Sequence, residues 1–184
     1  MKTVRLRSVL NTGMVMAVVM ALSFAAKAAD DAAEAKVEGP PASYALSDVE
    51  ISLRRTACFG RCPIYEVTLF GDGRVVFKGE RFVRVEGEAE GSVEQEQIVE
   101  LLNALYQNYF FDLRDSYNGR PGAYLENGQV SVSEVRITDL PSQILRVRIG
   151  NYEKRVGHSA GGPSGLGELI KRVDEIAGSE RWVK

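Results

Sequence analysis

Residues that most often carry catalysis are scarce in this sequence. The 184-residue chain contains one histidine, His158, and only two cysteines, Cys58 and Cys62. A histidine-based triad could therefore use only His158, and neither the phosphate-binding Gly-x-x-x-x-Gly-Lys loop nor the zinc-binding His-Glu-x-x-His motif is present. This scarcity favours a function without catalysis and directs attention to the two cysteines.

A basic surface is also lacking. Lys and Arg number 23 against 25 Asp and Glu. Residues 1–28 hold four of the basic residues and no acid, so the rest of the chain carries 19 basic and 25 acidic groups. Because nucleic acids are bound through clustered cations, this mildly acidic body argues against a nucleic-acid partner.

The first 28 residues have the pattern of a secretory signal peptide. Three basic residues precede an apolar run that includes residues 14–22, and Ala26 and Ala28 supply the small residues before a cleavage site. The apolar run is shorter than the roughly 18–20 residues that span a bilayer. We therefore expect a periplasmic or secreted protein with no stable membrane span after cleavage.

The remainder divides into a leader and one domain. Residues 29–43 are rich in alanine and acids, include Gly39-Pro40-Pro41, and contain nothing large to bury, which predicts a disordered leader. Residues 44–184 are long enough for one hydrophobic core, and we expect them to form a single domain.

Alternating apolar residues predict a series of strands in this domain. Residues 64–70 and 74–78 flank the turn Gly71-Asp72-Gly73, which indicates a hairpin. The predicted strands are 49–53, 64–70, 74–78, 81–86, 129–138, 144–149 and 152–156, with a turn-rich loop at 115–122.

Two stretches have the apolar spacing of helices. Ser92 is the predicted N-cap of the first, with Gln95 completing a capping box. The second has an apolar stripe from Leu166 to Ile176, and Gly178 is placed to end it. The order of elements predicts an α+β fold, an antiparallel sheet of about six or seven strands in two meanders with two helices packed on one face.

The two cysteines enclose the stretch whose residues are best suited to taking part in chemistry. Gly60 allows a tight turn between Cys58 and Cys62, and Pro63 fixes the exit into the second strand. In an exported protein the two thiols are expected to form a disulfide that pins this loop. A ring this small stabilises a fold by about 2 kcal/mol in the loop-entropy account.

Two alternatives stay open for these cysteines. Two thiolates could hold copper or zinc, with His158 as a third ligand if its loop lies beside them, although they supply only half of a tetrahedral shell. They could instead exchange thiols and disulfides, with Arg61 as the neighbouring cation, although that chemistry usually employs Cys-x-x-Cys.

Three stretches and one tyrosine carry a resemblance to a known family. They are residues 55–65 (Arg-Thr-Ala-Cys-Phe-Gly-Arg-Cys-Pro-Ile-Tyr), 71–75, 110–113 and Tyr117. Across about 49–182 the chain resembles a family of bacterial exported domains, domain-of-unknown-function family 6438. The resemblance implies an envelope location and a loop centred on Cys58 and Cys62, and it implies no activity.

We therefore expect an exported monomer that binds an envelope protein or a small ligand, without catalysis and without a cofactor. The contact residues expected on the cysteine loop are Phe59, Gly60, Arg61 and Tyr65. A metal-binding or thiol-redox role of Cys58 and Cys62 is the alternative function, and a hydrolase of envelope substrates is a third.

Overall fold

A computed structural model describes residues 39–136 and 140–184. The predicted signal peptide and most of the predicted leader lie outside these residues, and residues 39–43 contain neither helix nor strand. Gly39–Lys184 form one unit. Among the described residues, no helix combines the length and the apolar character needed to cross a membrane.

Eight strands form one mixed sheet with the order β4-β3-β2-β1-β7-β8-β5-β6. All neighbouring strands are antiparallel except β5 and β8, which run parallel. The strands are β1 Val49–Arg55, β2 Ile64–Phe70, β3 Arg74–Arg81, β4 Gly87–Ser92, β5 Ser116–Glu126, β6 Gln129–Arg136, β7 Gln143–Ile149 and β8 Tyr152–Ala160.

In the part of the chain that the structure describes, three α-helices accompany the sheet: α1 Gln95–Gln107, α2 Ser164–Ala177 and α3 Glu180–Val183. Short 3₁₀ turns lie at Leu46–Asp48 and Phe110–Asp112. The first two helices bury one apolar stripe each, and these stripes share a core with the alternate residues of the central strands. Members of that core include Ile51, Leu53, Val67, Val147, Leu101, Leu105, Leu169 and Val173.

The opposite face of the sheet carries ion pairs instead of helices. Glu50 of β1 pairs with Arg146 and Arg148 of the neighbouring β7, and Arg54 pairs with Glu66 and Glu80. Alternation along each strand therefore gives one apolar face and one charged face, as expected for a sheet packed on a single side.

Local signals predicted much of this architecture correctly. Strands β1 to β3, the turn at 71–73 and the two-residue turn Gly150-Asn151 between β7 and β8 are confirmed. The helix stripe from Leu166 to Val173 is buried, and Gly178 ends α2 in the left-handed conformation. These features depend on residues close together in the chain, so sequence patterns reach them.

The predicted α+β fold class needs correction, because the protein is mainly β. The sheet has eight strands, it is mixed instead of antiparallel, and a third helix follows the two predicted ones. Residues 116–122 belong to strand β5, because 116–118 pair with β8 and 119–122 pair with β6 despite Pro121. The parallel contact of β5 with β8 then joins what were predicted as separate meanders.

The predicted fourth strand at 81–86 is also wrong. Phe82 has a φ of 57°, which takes the chain out of the extended conformation, and pairing with β3 resumes only at Gly87–Ser92. Because Ser92 is the last residue of β4, it does not cap α1. Glu94 is the N-cap instead, and its capping box is completed by Gln97.

Strands β5 and β6 continue beyond the rest of the sheet as a two-stranded arm (residues 119–136). Strand β5 pairs with β8 only through residues 116–118, and residues 119–126 pair with β6 alone. The register of the arm is unbroken up to its turn, where Asn127 and Gly128 have φ values of 52° and 78°. Positive φ at both positions is typical of a two-residue hairpin turn.

Trp182 fixes the C-terminal helix on the sheet, which leads to a test of the fold. Its ring stacks on Phe77 at 5.1 Å, and its carbonyl accepts a hydrogen bond from the Val85 N–H at 3.0 Å. We expect Trp182→Ala to lower the free energy of unfolding by about 3–5 kcal/mol, the usual cost of removing a buried aromatic ring. Urea unfolding measures this change.

The control is Tyr109→Ala, because the Tyr109 side chain is 72% exposed. It should change the free energy of unfolding by less than about 0.5 kcal/mol. Equal destabilisation by the two substitutions would contradict the assigned packing.

Candidate functional site

The strand directions bring three exposed segments to one end of the sheet. Strands β1, β3 and β8 run in the same direction, because each is antiparallel to an intervening strand. The cysteine loop (residues 56–63) follows β1, residues 82–86 follow β3, and the arm continues past the end of β8. Segments far apart in sequence therefore share one region of the surface.

The cysteine loop is closed by the predicted disulfide between Cys58 and Cys62, whose Cα atoms lie 5.8 Å apart. Gly60 has a φ of 151°, and its N–H donates to the Cys58 carbonyl at 2.9 Å. A side chain at this φ would be strained, which explains why glycine occupies the turn. The result is a small covalent ring with little freedom.

Hydrogen bonds fasten the base of the loop to the sheet. The Thr56 N–H donates to the Ser142 carbonyl at 2.9 Å, and the Ser142 N–H donates to the Thr56 hydroxyl at 2.9 Å. The Ser142 hydroxyl lies 2.7 Å from the hydroxyl of Ser159 on β8. The loop is thus held both by its ring and by its stem.

Two phenylalanines and two arginines form an exposed group that we call the tip surface (Phe59, Arg61, Arg81 and Phe82). Phe59 is 96% exposed, and Phe82 is 39% exposed. The guanidinium groups of Arg61 and Arg81 lie 5.7 and 5.5 Å from the centre of the Phe82 ring, within cation–π range. The tip surface presents apolar rings beside positive charge.

Beneath the loop, the carboxylate of Asp174 on α2 gathers four hydrogen bonds. Arg55 donates to Oδ2 through Nε at 3.0 Å and through Nη2 at 2.6 Å. The hydroxyls of Tyr65 and Ser179 donate to Oδ1 at 2.9 and 2.6 Å. One side chain therefore joins the end of β1, the start of β2 and the turn after α2.

The protonation of this network follows from its burial. Burial of the phenol, reinforced by the charge of Asp174, raises the pKa of Tyr65 to about 12. Burial opposes the charge of Arg55, but the charge and hydrogen bonds of Asp174 outweigh it and hold the pKa of the guanidinium above its ordinary value. At neutral pH the phenol of Tyr65 is therefore protonated and the guanidinium of Arg55 is charged.

An open pocket of about 530 Å³ lies over this network. Its charged residues are matched in pairs: Arg55 with Asp174, Lys171 with Glu175 and Lys184 with Glu180. A pocket whose charges already satisfy each other has no preference for a ligand of either sign.

Of the four predicted contact residues on the cysteine loop, three are exposed and one is buried. Phe59, Gly60 and Arg61 are exposed on the loop, whereas Tyr65 is only 4% exposed and packs its ring against Phe77 at 5.2 Å. Tyr65 reaches the surface network through its hydroxyl alone. The loop surface is therefore made by the first three residues, with Phe82 and Arg81 in place of Tyr65.

His158 lies on β8, two strands away from the strand that leads into the cysteine loop. The His158 position pairs with Gln143, which pairs with Arg55, so the backbones of His158 and Arg55 are about 10 Å apart. The Nε2 atom of His158 contacts the Gly161 carbonyl at 3.0 Å. Over residues 39–136 and 140–184, no group of three His, Cys, Asp or Glu side chains is arranged to hold a metal ion.

One further catalytic spacing is present in the sequence, the Gly-x-Ser-x-Gly pattern of Gly157-His158-Ser159-Ala160-Gly161. In hydrolases of that pattern the serine stands on a sharp turn between a strand and a helix. Here Ser159 lies within β8 and contacts Ser142. Neighbouring strand residues point to opposite faces, so His158, the only histidine in the sequence, cannot serve Ser159 as a base.

Comparison with known proteins matches the sequence profile of a domain of unknown function, DUF6438, to residues 49–177. The chain belongs to the DUF6438 family. No curated protein matches it. The part of this family member that the profile covers includes Arg55, the cysteine loop, Tyr65 and Asp174, whereas Trp182 lies beyond it.

Sequence reasoning missed Asp174, although a signal was present. Arg55 is in phase with Val49, Ile51 and Leu53, which places a cation on the core side of β1. A buried cation requires an anionic partner, so an acid was to be expected somewhere against this strand. Phe82 was also missed, because its contact with Arg61 depends on the bend after β3.

The Asp174 network gives a second prediction. Asp174→Asn should destabilise this DUF6438 domain by about 2–4 kcal/mol, because it leaves the half-buried Arg55 without its counter-charge. Urea unfolding measures the change. The matched control is Glu175→Gln on the next residue, whose pair with Lys171 is exposed and should contribute less than about 1 kcal/mol. Equal effects at the two positions would contradict the assignment.

The Tyr65 hydroxyl gives a third prediction, concerning pH. The pKa of Tyr65 is about 12 in the folded protein against about 10 in the unfolded chain, so folding retains the phenol proton. The stability that this adds is complete below about pH 10 and is lost as the pH rises through about 12. The stability difference between the parent and Tyr65→Phe should shrink over that interval.

Urea unfolding of both proteins at neutral and alkaline pH measures this difference. Tyr109→Phe is the control, since the Tyr109 ring lies mostly in solvent. A difference between the parent and Tyr65→Phe that stays constant through the alkaline range would overturn the assignment.

Proposed function

We propose that this protein is exported to the cell envelope and acts there as a non-catalytic binding module, with the tip surface as its contact site. The observation that carries the proposal is Phe59, an almost fully exposed aromatic side chain on a loop closed by a disulfide. The partner is an envelope protein or a small ligand with an apolar part.

The arrangement around Phe59 supports contact in preference to catalysis. A single exposed apolar residue is ordinary on a protein surface. Here, however, the ring is displayed by a constrained loop, and a second aromatic ring, Phe82, lies in the neighbouring segment. Aromatic and arginine side chains supply most of the binding energy in typical interfaces.

The backbone of Phe82 adds independent support. Its φ of 57° is a left-handed conformation that costs a bulky residue roughly 1–3 kcal/mol. Such strain gathers at functional sites more often than elsewhere. The disulfide has a matching role, because a loop that is already ordered loses little entropy when a partner binds.

Export is supported by the sequence pattern of residues 1–28 and by the joined cysteines. Disulfides persist in the periplasm and outside the cell and are rare in the cytosol. Metal binding, one alternative function of the cysteines, requires free thiolates, which the closed ring does not supply. Thiol exchange includes a disulfide in its cycle, but the three-residue spacing of these cysteines differs from the Cys-x-x-Cys typical of that chemistry.

The experiment is site-specific photocrosslinking in cells, with a photoreactive phenylalanine at position 59. We expect the chain in the periplasmic fraction, shortened by the signal peptide, and a discrete light-dependent adduct. The same reagent at Tyr109, which is also well exposed, is the control and should give no adduct.

A second variant distinguishes the ordered loop from general stickiness. Cys58→Ser with Cys62→Ser removes the ring and should lower the yield of the adduct from position 59 while leaving the protein folded, because the disulfide adds only about 2 kcal/mol. An unprocessed cytoplasmic chain, or equal adducts from positions 59 and 109, would overturn the proposal.

A further inference from the structure

The arm has an amphipathic pattern that is unusual for a segment whose apolar side chains are mostly exposed. Cross-strand pairs place Ala123 beside Val132 and Leu125 beside Val130, so these four residues share one face. We call it the arm face. Leu125, Val130 and Val132 are 76%, 69% and 75% exposed.

The opposite side of the arm is mainly polar. It pairs Tyr124 with Ser131, Glu126 with Gln129 and Gly122 with Ser133, and at the root of the arm Arg120 with Val135. From residue 129 to residue 133, β6 alternates strictly between polar and apolar residues, which is the pattern of a strand that buries one side. This part of the arm therefore has the sequence of a half-buried strand, whereas its apolar side faces solvent in the isolated chain.

The arm face carries no charge between Pro121 and the turn. The first charged residue on it is Glu134, which lies at the root of the arm and pairs with Arg114 at 3.9 Å. An uncharged apolar strip is complementary to another surface that is uncharged and apolar. The arm face of a second copy of the chain is such a surface.

The size of the strip fits a modest dimer. Three large side chains at this exposure present on the order of 400 Å² of apolar surface, comparable with the largest patch on many monomers. Two copies of the strip, with Pro121 and Ala123 at its margin, approach the roughly 1,000 Å² at which specific interfaces begin. A two-fold axis between two arms would cover both strips at once.

We infer that the protein forms a dimer in which the arm faces of two copies pack against each other. The inference does not depend on the proposed function, since the tip surface belongs to other segments. It replaces the expectation of a monomer. The free edge of β6 stays available, because packing through the face uses side chains and not the unpaired backbone.

The experiment is sedimentation equilibrium of the purified chain over a range of concentrations. We expect a dimer with a dissociation constant on the order of micromolar, as small interfaces of this kind give. Val132→Lys puts a charge in the centre of the strip and should weaken the dimer at least about tenfold. Val132→Ile keeps the strip apolar and should preserve the dimer.

The matched control is Ser133→Lys, one residue further along the same strand and on the opposite side. It should change the dissociation constant by less than about twofold, because a lysine there stays in solvent. A chain that is monomeric at every concentration, or one that Ser133→Lys disrupts as strongly as Val132→Lys, would overturn the inference.

Thiol crosslinking then distinguishes packing through the face from pairing through the β6 edge. The native cysteines are joined to each other, so an introduced cysteine is the only reactive thiol. A short crosslinker should join two copies of Ala123→Cys and leave Ser133→Cys unjoined. Efficient joining of Ser133→Cys alone would overturn the inference.

Discussion

The carboxylate of Asp174 is the constraint on which the surface end of this protein depends. It accepts hydrogen bonds from β1, β2 and the turn after α2. The two oxygens of one carboxylate therefore hold together three segments that include residues far apart in the sequence. The cysteine loop is the connection between β1 and β2 and begins directly after Arg55. Its two ends are therefore anchored by the same side chain.

This arrangement divides the signature stretch into two sets of residues. Arg55 and Tyr65 lie at its borders and turn inward to Asp174, while Cys58, Gly60 and Cys62 shape the loop between them. Arg55 and Tyr65 fix the position of the loop, and the Cys58–Cys62 disulfide fixes its conformation. Phe59 and Arg61 are left as the side chains that the stretch presents outward.

The sequence predicts a feature well when the residues that form it are close together in the chain. The first three strands, the helix stripes and the disulfide follow from neighbouring residues, and they are present as predicted. The fourth strand was misplaced because the bend at Phe82 is held from outside, by the contact of Val85 with Trp182. The parallel pairing of β5 with β8 has no local signal.

Asp174 shows the same limit within the site. Its position in α2 resembles that of any acid in the last turn of a helix, and only the core-facing phase of Arg55 indicates that it is needed. The resemblance to the family pointed to the cysteine loop but not to Asp174, because a family signature consists of residues that are contiguous in the sequence. The partner that holds them lies 119 positions along the chain from Arg55.

Along the central strands β2, β1 and β7, helices cover one face of the sheet and ion pairs occupy the other. Eleven large hydrophobic side chains are exposed among the described residues, and seven of them belong to the tip surface or the arm. These segments leave the same end of the sheet because β1, β3 and β8 share a direction. The shared core lies between the helices and the central strands, so the end of the sheet can expose apolar side chains while the core stays covered. The two proposed contacts, one through the tip surface and one through the arm face, therefore use different segments at the same end of the sheet.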